Sequence, residues 1–427
     1  MPKPLVAILG KSIKRVARLR GGGSALPGLV VEKIDPEFIT RTLKQLPHGV
    51  AIISGTNGKT TTTKLVVSML ESQGLKVFTN RTGSNFTRGV AAALLDEIDV
   101  RGRMNADIAV LELDEAHAVH FANKIPPKHS LLLNVMRDQL DRFGEIDHTA
   151  NLLRKVADQT TQTVVLNRED PRLANIAKSI SPKQTVFFGL DKSLKKYFPS
   201  DGELLSKNAK SSSTGRQPSA DVVLSNFNQS TATFSIDNKK TSVKLKLSGI
   251  YNTLNAAAAL AFVRSIVGPQ NIDQNKLIAA LKNTAPAFGR GEILRVDGQE
   301  LEIVLVKNPS GFQLGLSSFE PEHTATMIAI NDNYADGRDM SWLWDVDFDS
   351  LKPGGVLQVS GIRAYDMALR LEHSDINVEN VETDLKKALR QFIKNSPQNK
   401  KRIYCTYTAM LNLRKQLSKI TKVEVIR

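Results

Sequence analysis

One cysteine, Cys405, serves a chain of 427 residues. No internal disulfide can form, and no zinc cluster built on several thiolates can assemble. A reducing, cytoplasmic setting fits that scarcity. Long apolar runs are missing too, since no stretch approaches the ~20 residues that a membrane-spanning helix needs. Tryptophan occurs only at Trp342 and Trp344, in core or on a partner surface. Acid is in deficit, with 43 acidic against 58 basic residues and a net charge of +15. That balance favours an acidic partner: nucleic acid, nucleotide, or an anionic membrane and phospholipid-like substrate. Composition alone does not choose among them.

The first 20 residues contain no acid at all. They carry Lys3, Lys11, Lys14, Arg15, Arg18 and Arg20, with apolar Leu5, Val6, Ile8, Leu9, Ile13 and Val16 at near-helical spacing. A signal peptide puts its charges before a longer apolar core, whereas most here follow a short one. The pattern predicts a basic amphipathic helix, packed on its own domain or resting on an anionic membrane surface.

What the chain does have is enough apolar residue, 41%, and length for two or three domains with cores of their own. Its organising stretch is Ile52 to Lys64, IISGTNGKTTTTK. An apolar strand runs into Gly55-Thr56-Asn57-Gly58-Lys59-Thr60-Thr61, and a helical segment follows. Glycines in such a loop turn backbone N–H groups around phosphate oxygens, the lysine neutralises the outer phosphates, and the next hydroxyl suits Mg²⁺. Ile53 stands where the full phosphate-loop pattern has its first glycine, so this is a shorter form.

Short apolar strands then alternate with helical patterns: Lys76 to Thr79, Asp107 to Leu113, Ser130 to Val135, Thr163 to Leu166 and Thr185 to Phe188. That rhythm predicts an α/β fold with a doubly wound, mostly parallel sheet. Residues 191–246 break it with a polar run and alternating stretches, which suggests a small antiparallel insertion. The alanine-rich helix Asn252 to Ile266 resumes the first unit. Near Pro286 a second, smaller Rossmann-like α/β unit begins. The expected division is a basic helical segment over 1–45, a central unit over 46–285 and a C-terminal unit over 286–427.

Chemistry-bearing residues gather after strand ends, where open α/β sheets hold ligands. Glu112 and Asp114 in AVLELDEAH fall on one face of a strand, as Mg²⁺ coordination by oxygen requires. Asn331 to Asp347, NDNYADGRDMSWLWDVD, forms a polar cluster after the strand Thr326 to Ile330. Cys405, in apolar RIYCTY, reads as a buried structural thiol.

GTNGKTTT is the loop form of Mur ligases and folylpolyglutamate synthases, ATP-dependent enzymes that activate a carboxylate as an acyl phosphate, and the chain resembles that superfamily. The resemblance implies ATP and Mg²⁺ as cofactors. It assigns Gly55, Thr56, Asn57, Gly58, Lys59, Thr60 and Thr61 to the nucleotide, and Thr60 with Glu112 to the metal. Asn167 in NREDP, Asn252 and Asn255 in YNTLNAAAA, and Arg290 in FGRGE match positions that approach the nucleotide. In NVMRDQLDRFGE, Asp138 and Asp141 are kept, while Gln139 replaces a histidine that helps hold a second metal.

The second unit does not resemble that of the amino-acid-adding Mur ligases. NDNYADGRD and the GIRA segment resemble the family of MurT-like synthetase subunits of lipid II isoglutaminyl synthases, and the likeness runs nearly the whole chain. It implies ATP-dependent amidation of the D-glutamate α-carboxylate in lipid II, with ammonia from a GatD-like glutaminase subunit. Lys59 and Glu112 would be catalytic and Asp339 would complete the partner's site, with Asp336 and Asp345 open for that role. It implies no nucleic acid, and a location at the inner face of the plasma membrane. Many relatives carry a four-cysteine zinc ribbon; residues 191–246 have no cysteine, so no zinc is expected. An amino-acid-adding ligase, a folate polyglutamylating enzyme and a non-catalytic scaffold are the rival readings.

Overall fold

The computed structural model describes residues 4–19, 26–80, 87–138, 146–180, 185–205, 217–228, 231–247, 249–285, 290–318, 324–397 and 399–423. Helices α1 (Pro4–Leu19), α2 (Leu26–Ile34) and α3 (Phe38–Leu43) lead into β1 (Val50–Ser54), which feeds α4 (Lys59–Ser72). There follow β2 (Val77–Thr79), α5 (Thr87–Glu97), β3 (Ile108–Glu112), α6 (Glu115–Lys124), β4 (His129–Leu132), α7 (Ile146–Gln159), β5 (Thr163–Asn167), α8 (Pro171–Ile176), β6 (Thr185–Leu190) and α9 (Asp201–Leu205). Strands β7 (Val222–Asn228), β8 (Thr231–Ile236) and β9 (Lys239–Lys244) precede α10 (Tyr251–Val267) and α11 (Gln274–Asn283).

These strands form one sheet in the order β2-β3-β1-β4-β5-β6-β7-β8-β9, parallel from β2 through β7. Every residue of β1 and β3 is buried, because helices cover both faces. On one face Leu65 and Met69 of α4 meet Ala256 to Val263 of α10; on the other Leu94, Phe121 and Leu153 come from α5, α6 and α7. The chain runs from β1 outward to β2 and β3, then crosses to β4. That reversal beside β1 opens the crevice into which the phosphate loop projects.

Within residues 191–246 the expected antiparallel stretches appear as β8 and β9, at the edge of the first sheet. Strand β7 pairs in parallel with β6, Val222 opposite Phe188, and β8 and β9 extend the sheet in antiparallel fashion. In β8, buried and half-buried residues alternate. That is why the segment reads differently from the doubly covered strands before it. The polar run over 206–216 lies outside the described residues.

The second sheet, in the order β10-β11-β15-β12-β13-β14, has its own core on each face. Its elements are β10 (Arg290–Val296), β11 (Gln299–Leu305), α12 (Pro309–Ser317), β12 (Thr324–Ala329), β13 (Gln358–Ser360), α13 (Ala364–Glu372), β14 (Val381–Glu382), α14 (Leu385–Asn395), β15 (Lys400–Cys405) and α15 (Tyr407–Leu417). Only the β10–β11 hairpin is antiparallel. Helix α12 is one that sequence periodicity does not place, since two glycines dilute its pattern. Of the tryptophans, Trp342 joins this core and Trp344 lies half exposed against His373.

Helix α1 packs on its own domain. Val6 and Ala7 are buried, a Cβ on Gly10 would meet Leu95 and Val31, and Lys14 bonds Asp96 at 2.6 Å. Ile8 and Leu9 stay exposed. No helix among the described residues is long and apolar enough to cross a membrane.

His129, at the start of β4, is buried with its Nδ1 unpartnered. Burial, with Lys128 and His48 nearby, pushes its pKa from the ordinary 6.5 down to about 4. Between those values the unfolded chain binds a proton that the folded chain refuses, so stability falls as pH falls through that window and is untouched above it. Urea unfolding is expected to show about 2 kcal/mol lost between pH 7 and pH 5 through this group. In His129→Gln that part of the pH slope disappears, whatever the variant's absolute stability.

Candidate phosphate-loop active site

The loop between β1 and α4 is shaped by two glycines with positive φ, Gly55 at 131° and Gly58 at 89°. L-residues rarely adopt either conformation. Space forbids side chains as well. A Cβ on Gly55 would lie 3.0 Å from the backbone N and O of Asn134, and one on Gly58 would lie 2.5 Å from Asn255 Oδ1. The glycines are thus what lets β4 and α10 close on the loop.

Asn134, which the sequence offered only as part of a longer run, clasps the loop. Its Oδ1 accepts from the Asn57 backbone N–H at 2.8 Å, and its Nδ2 donates to the Asn57 carbonyl at 3.0 Å. The Thr56 N–H donates to the Asn134 carbonyl at 3.1 Å. Asn80, beyond β2, does the same for β3. It donates to the Glu112 carbonyl at 2.8 Å and accepts from the Glu112 N–H at 3.0 Å. An asparagine after a strand end is too common for sequence to single out either one.

Lys59 is 4% exposed. Its ammonium donates to the Gly55 carbonyl at 2.6 Å and pairs with Asp114 at 3.1 Å and Glu115 at 3.8 Å. Burial works to lower its pKa, but Glu115, Asp114, Asp138 and Glu112 outweigh it, so the pKa stands above the ordinary lysine value. The charge is permanent at any physiological pH. Thr60 and Glu112 meet directly, the hydroxyl donating to Oε1 at 2.7 Å. A hydroxyl and a carboxylate are hard oxygen donors of the kind Mg²⁺ takes beside water and phosphate. Among the described residues no group of three or more His, Cys, Asp or Glu could hold a metal alone. The donor set fits an ion shared with a nucleotide.

An open cleft runs from the loop between Asn134, Asn167, Arg172, Phe198, Tyr251 and Asn255. Asn167 is held by the Leu133 carbonyl and the Glu169 N–H, and Asn255 by Asn252 at 3.1 Å. Asp170, whose pKa burial raises despite three backbone donors, ties the cleft wall to Val135 and to the first turn of α8. The wall residue Phe198 carries no motif that points to it in advance.

Of the sequence-chosen residues, Asn57, Gly58, Asn167 and Asn255 line this cleft, Thr60 meets Glu112 beside the loop, and fully buried Asn252 reaches the cleft only through Asn255. Arg290 opens β10, but its side chain lies outside the described residues, as do Gln139 and Asp141. Asp339 belongs to a separate cluster in the second domain. There Asp336 is buried and held by the Thr408 N–H and hydroxyl, and Asp332 pairs with Arg363 at 2.7 Å. Asp339 is half-buried, and hydrogen bonds from the Ser341 hydroxyl and N–H hold its carboxyl below the usual range. Asp345 is exposed.

A family model described as the Mur ligase middle domain matches residues 53–263, and one described as the MurT ligase C-terminal region matches residues 305–410. The MurT subunit of the lipid II isoglutaminyl synthase (glutamine-hydrolyzing) of Streptococcus pneumoniae is 30% identical over 96% of this chain and 96% of its own. Among solved structures, a pseudomurein peptide ligase type C from Methanothermus fervidus shares the fold with TM-score 0.67 and 18% identity, over 90% of this chain and 81% of its own. So does a bifunctional folylpolyglutamate synthase/dihydrofolate synthase from Yersinia pestis, complexed with AMPPNP and Mn, with TM-score 0.61 and 14% identity over 90% of this chain and 92% of its own.

Two substitutions separate the parts of this site. Asn134→Ala removes two bonds to Asn57 and is expected to weaken ATP binding roughly tenfold by calorimetry. Glu112→Gln is expected to weaken binding of ATP with Mg²⁺ by a similar factor, and to leave ATP binding in excess EDTA within about twofold of the parent.

Proposed function

The chain belongs to the MurT family of Mur ligase-like synthetase subunits and is a ligase, and on that premise we propose that it amidates the D-glutamate α-carboxylate of the lipid II stem peptide to D-isoglutamine. The observation that carries this reading is the convergence of Lys59, Thr60 and Glu112 on one phosphate loop, in a chain aligned along nearly its whole length with such a subunit. A carboxylate oxygen attacks the γ-phosphorus of ATP, ADP departs, and an acyl phosphate forms. Ammonia adds to the acyl carbon, gives up a proton, and inorganic phosphate leaves.

Lys59 neutralises charge on the transferring phosphoryl group, and the loop N–H groups hold the phosphates in line. Mg²⁺, held by Thr60 and Glu112, would supply further neutralisation of the phosphate charge. Asn167, Asn252 and Asn255 hold the nucleotide, and the match of FGRGE assigns Arg290 to it as well. Closure of the two domains keeps water from the acyl phosphate.

Ammonia must come from a second subunit, a GatD-like glutaminase. Cys405 is fully buried in β15 and burial pushes its thiol pKa up, so it is no nucleophile. Asp339 is the residue offered to the partner's Cys-His pair. Its carboxylate is charged and half-exposed, whereas that of Asp336 is consumed by Thr408. Exposed Tyr334 in the same loop, Ile362 just before α13, and Tyr365 and Leu369 within it supply apolar surface suited to a subunit interface. The lipid-linked substrate is met at the inner face of the membrane, which exposed Ile8, Leu9 and Arg15 of basic α1 touch peripherally.

Co-expressed with the glutaminase of its own genome and given ATP, Mg²⁺ and lipid II, the chain is expected to raise the stem peptide to its amidated mass. Lys59→Ala abolishes this with either nitrogen source. Asp339→Asn abolishes it with glutamine and leaves it with ammonia. Bound ATP without amidation from either source, or consumption of an amino acid in place of ammonia, overturns the reading.

A further inference from the structure

The cluster with the most unexplained order lies where the two domains meet. Asn308 precedes α12 and is 0% exposed. Its Oδ1 accepts from the Gly311 N–H at 2.7 Å and so caps the helix. Its Nδ2 donates to Asn57 Oδ1 and to Asp138 Oδ1, both at 3.2 Å. The orientation of the amide follows from chemistry: the helix N–H demands the oxygen, and the Asp138 carboxylate demands the nitrogen.

The geometry points to Asn308 as a positioning residue that locks the second domain to the phosphate loop. This rests on the ATP-dependent reading above and adds the residue that couples closure to the nucleotide site. Asn57 is held through its backbone by Asn134 of the first domain and through its side chain by Asn308 of the second. The loop is therefore gripped from both sides, and moving one domain moves the grip. The approach is close: a Cβ on Gly311 would lie 2.8 Å from Asn308 Oδ1 and 3.6 Å from Asn57 Oδ1. Lys307, Gly311 and Leu314 then line a crevice together with Gly58, Thr61 and Asn255. Groups of both domains face the phosphate end of the nucleotide site only while this contact holds.

The chemistry also supplies a clean test. Asn308→Asp keeps an oxygen to cap Gly311, and aspartate is as good an N-cap as asparagine. It removes the N–H donors and sets a carboxylate against Asp138 and against Asn57 Oδ1. Dye pairs at Lys124→Cys and Lys386→Cys, both exposed, report the interdomain distance, and buried Cys405 stays unlabelled.

With Mg²⁺-ATP the parent is expected to gain energy transfer. Asn308→Asp, with its melting temperature within a few degrees of the parent, is expected to bind ATP within about threefold and to lose most of that gain. Its kcat for ammonia-driven amidation falls at least about tenfold at pH 8 with little change in KM for ATP. An unchanged kcat and transfer gain overturn the inference, and so does a loss that sits wholly in KM for ATP. If the parent closes on ATP but amidates nothing, the proposed reaction fails and the coupling stands.

Discussion

A buried ammonium that cannot be left unpaired governs this active site. Lys59 sits out of water between the Gly55 carbonyl and the carboxylates of Asp114 and Glu115. An isolated charge there would cost several kcal/mol, and removing one partner of such a pair is far more damaging than the pair's net contribution. β1 delivers the lysine through the loop, and the end of β3 with the start of α6 delivers the acids. Strand order around β1 is thereby tied to the chemistry, since β3 must be its neighbour for the charges to meet.

Around that pair, neutral amides do the positioning. Asn134 grips the loop, Asn80 grips the strand bearing Glu112, and Asn255 fills the space that Gly58 leaves open. An amide offers donor and acceptor together, so it can hold both polar groups of a peptide without adding charge. That suits a site where the nearby carboxylates are already committed to Lys59 and to Thr60.

The second domain divides its acids by burial. Asp336 is drawn into the fold by Thr408, and burial raises its pKa although those bonds oppose it. Asp339, three residues on, stays in partial contact with solvent and is charged. One short run thus supplies both a clasp for the loop and a charged carboxylate in contact with solvent, a distinction invisible in NDNYADGRD itself.

By itself the sequence determined the phosphate loop, the doubly wound α/β class, a carboxylate at the end of β3 and the want of a usable thiol. These are local or compositional: glycine spacing, strand–loop–helix succession, a carboxylate at a strand end and a cysteine count. Only the tertiary structure decided which asparagines matter. Asn134 acts on a residue 77 positions away, and Asn308 on one 251 away. It also decided that residues 222–244 prolong the first sheet, which follows from the pairing of β7 with β6 and not from the alternation of β8. The physical reason is the same throughout. A hydrogen bond between distant segments needs both ends brought within about 3 Å, and no pattern along the chain encodes that meeting until the sheets have closed.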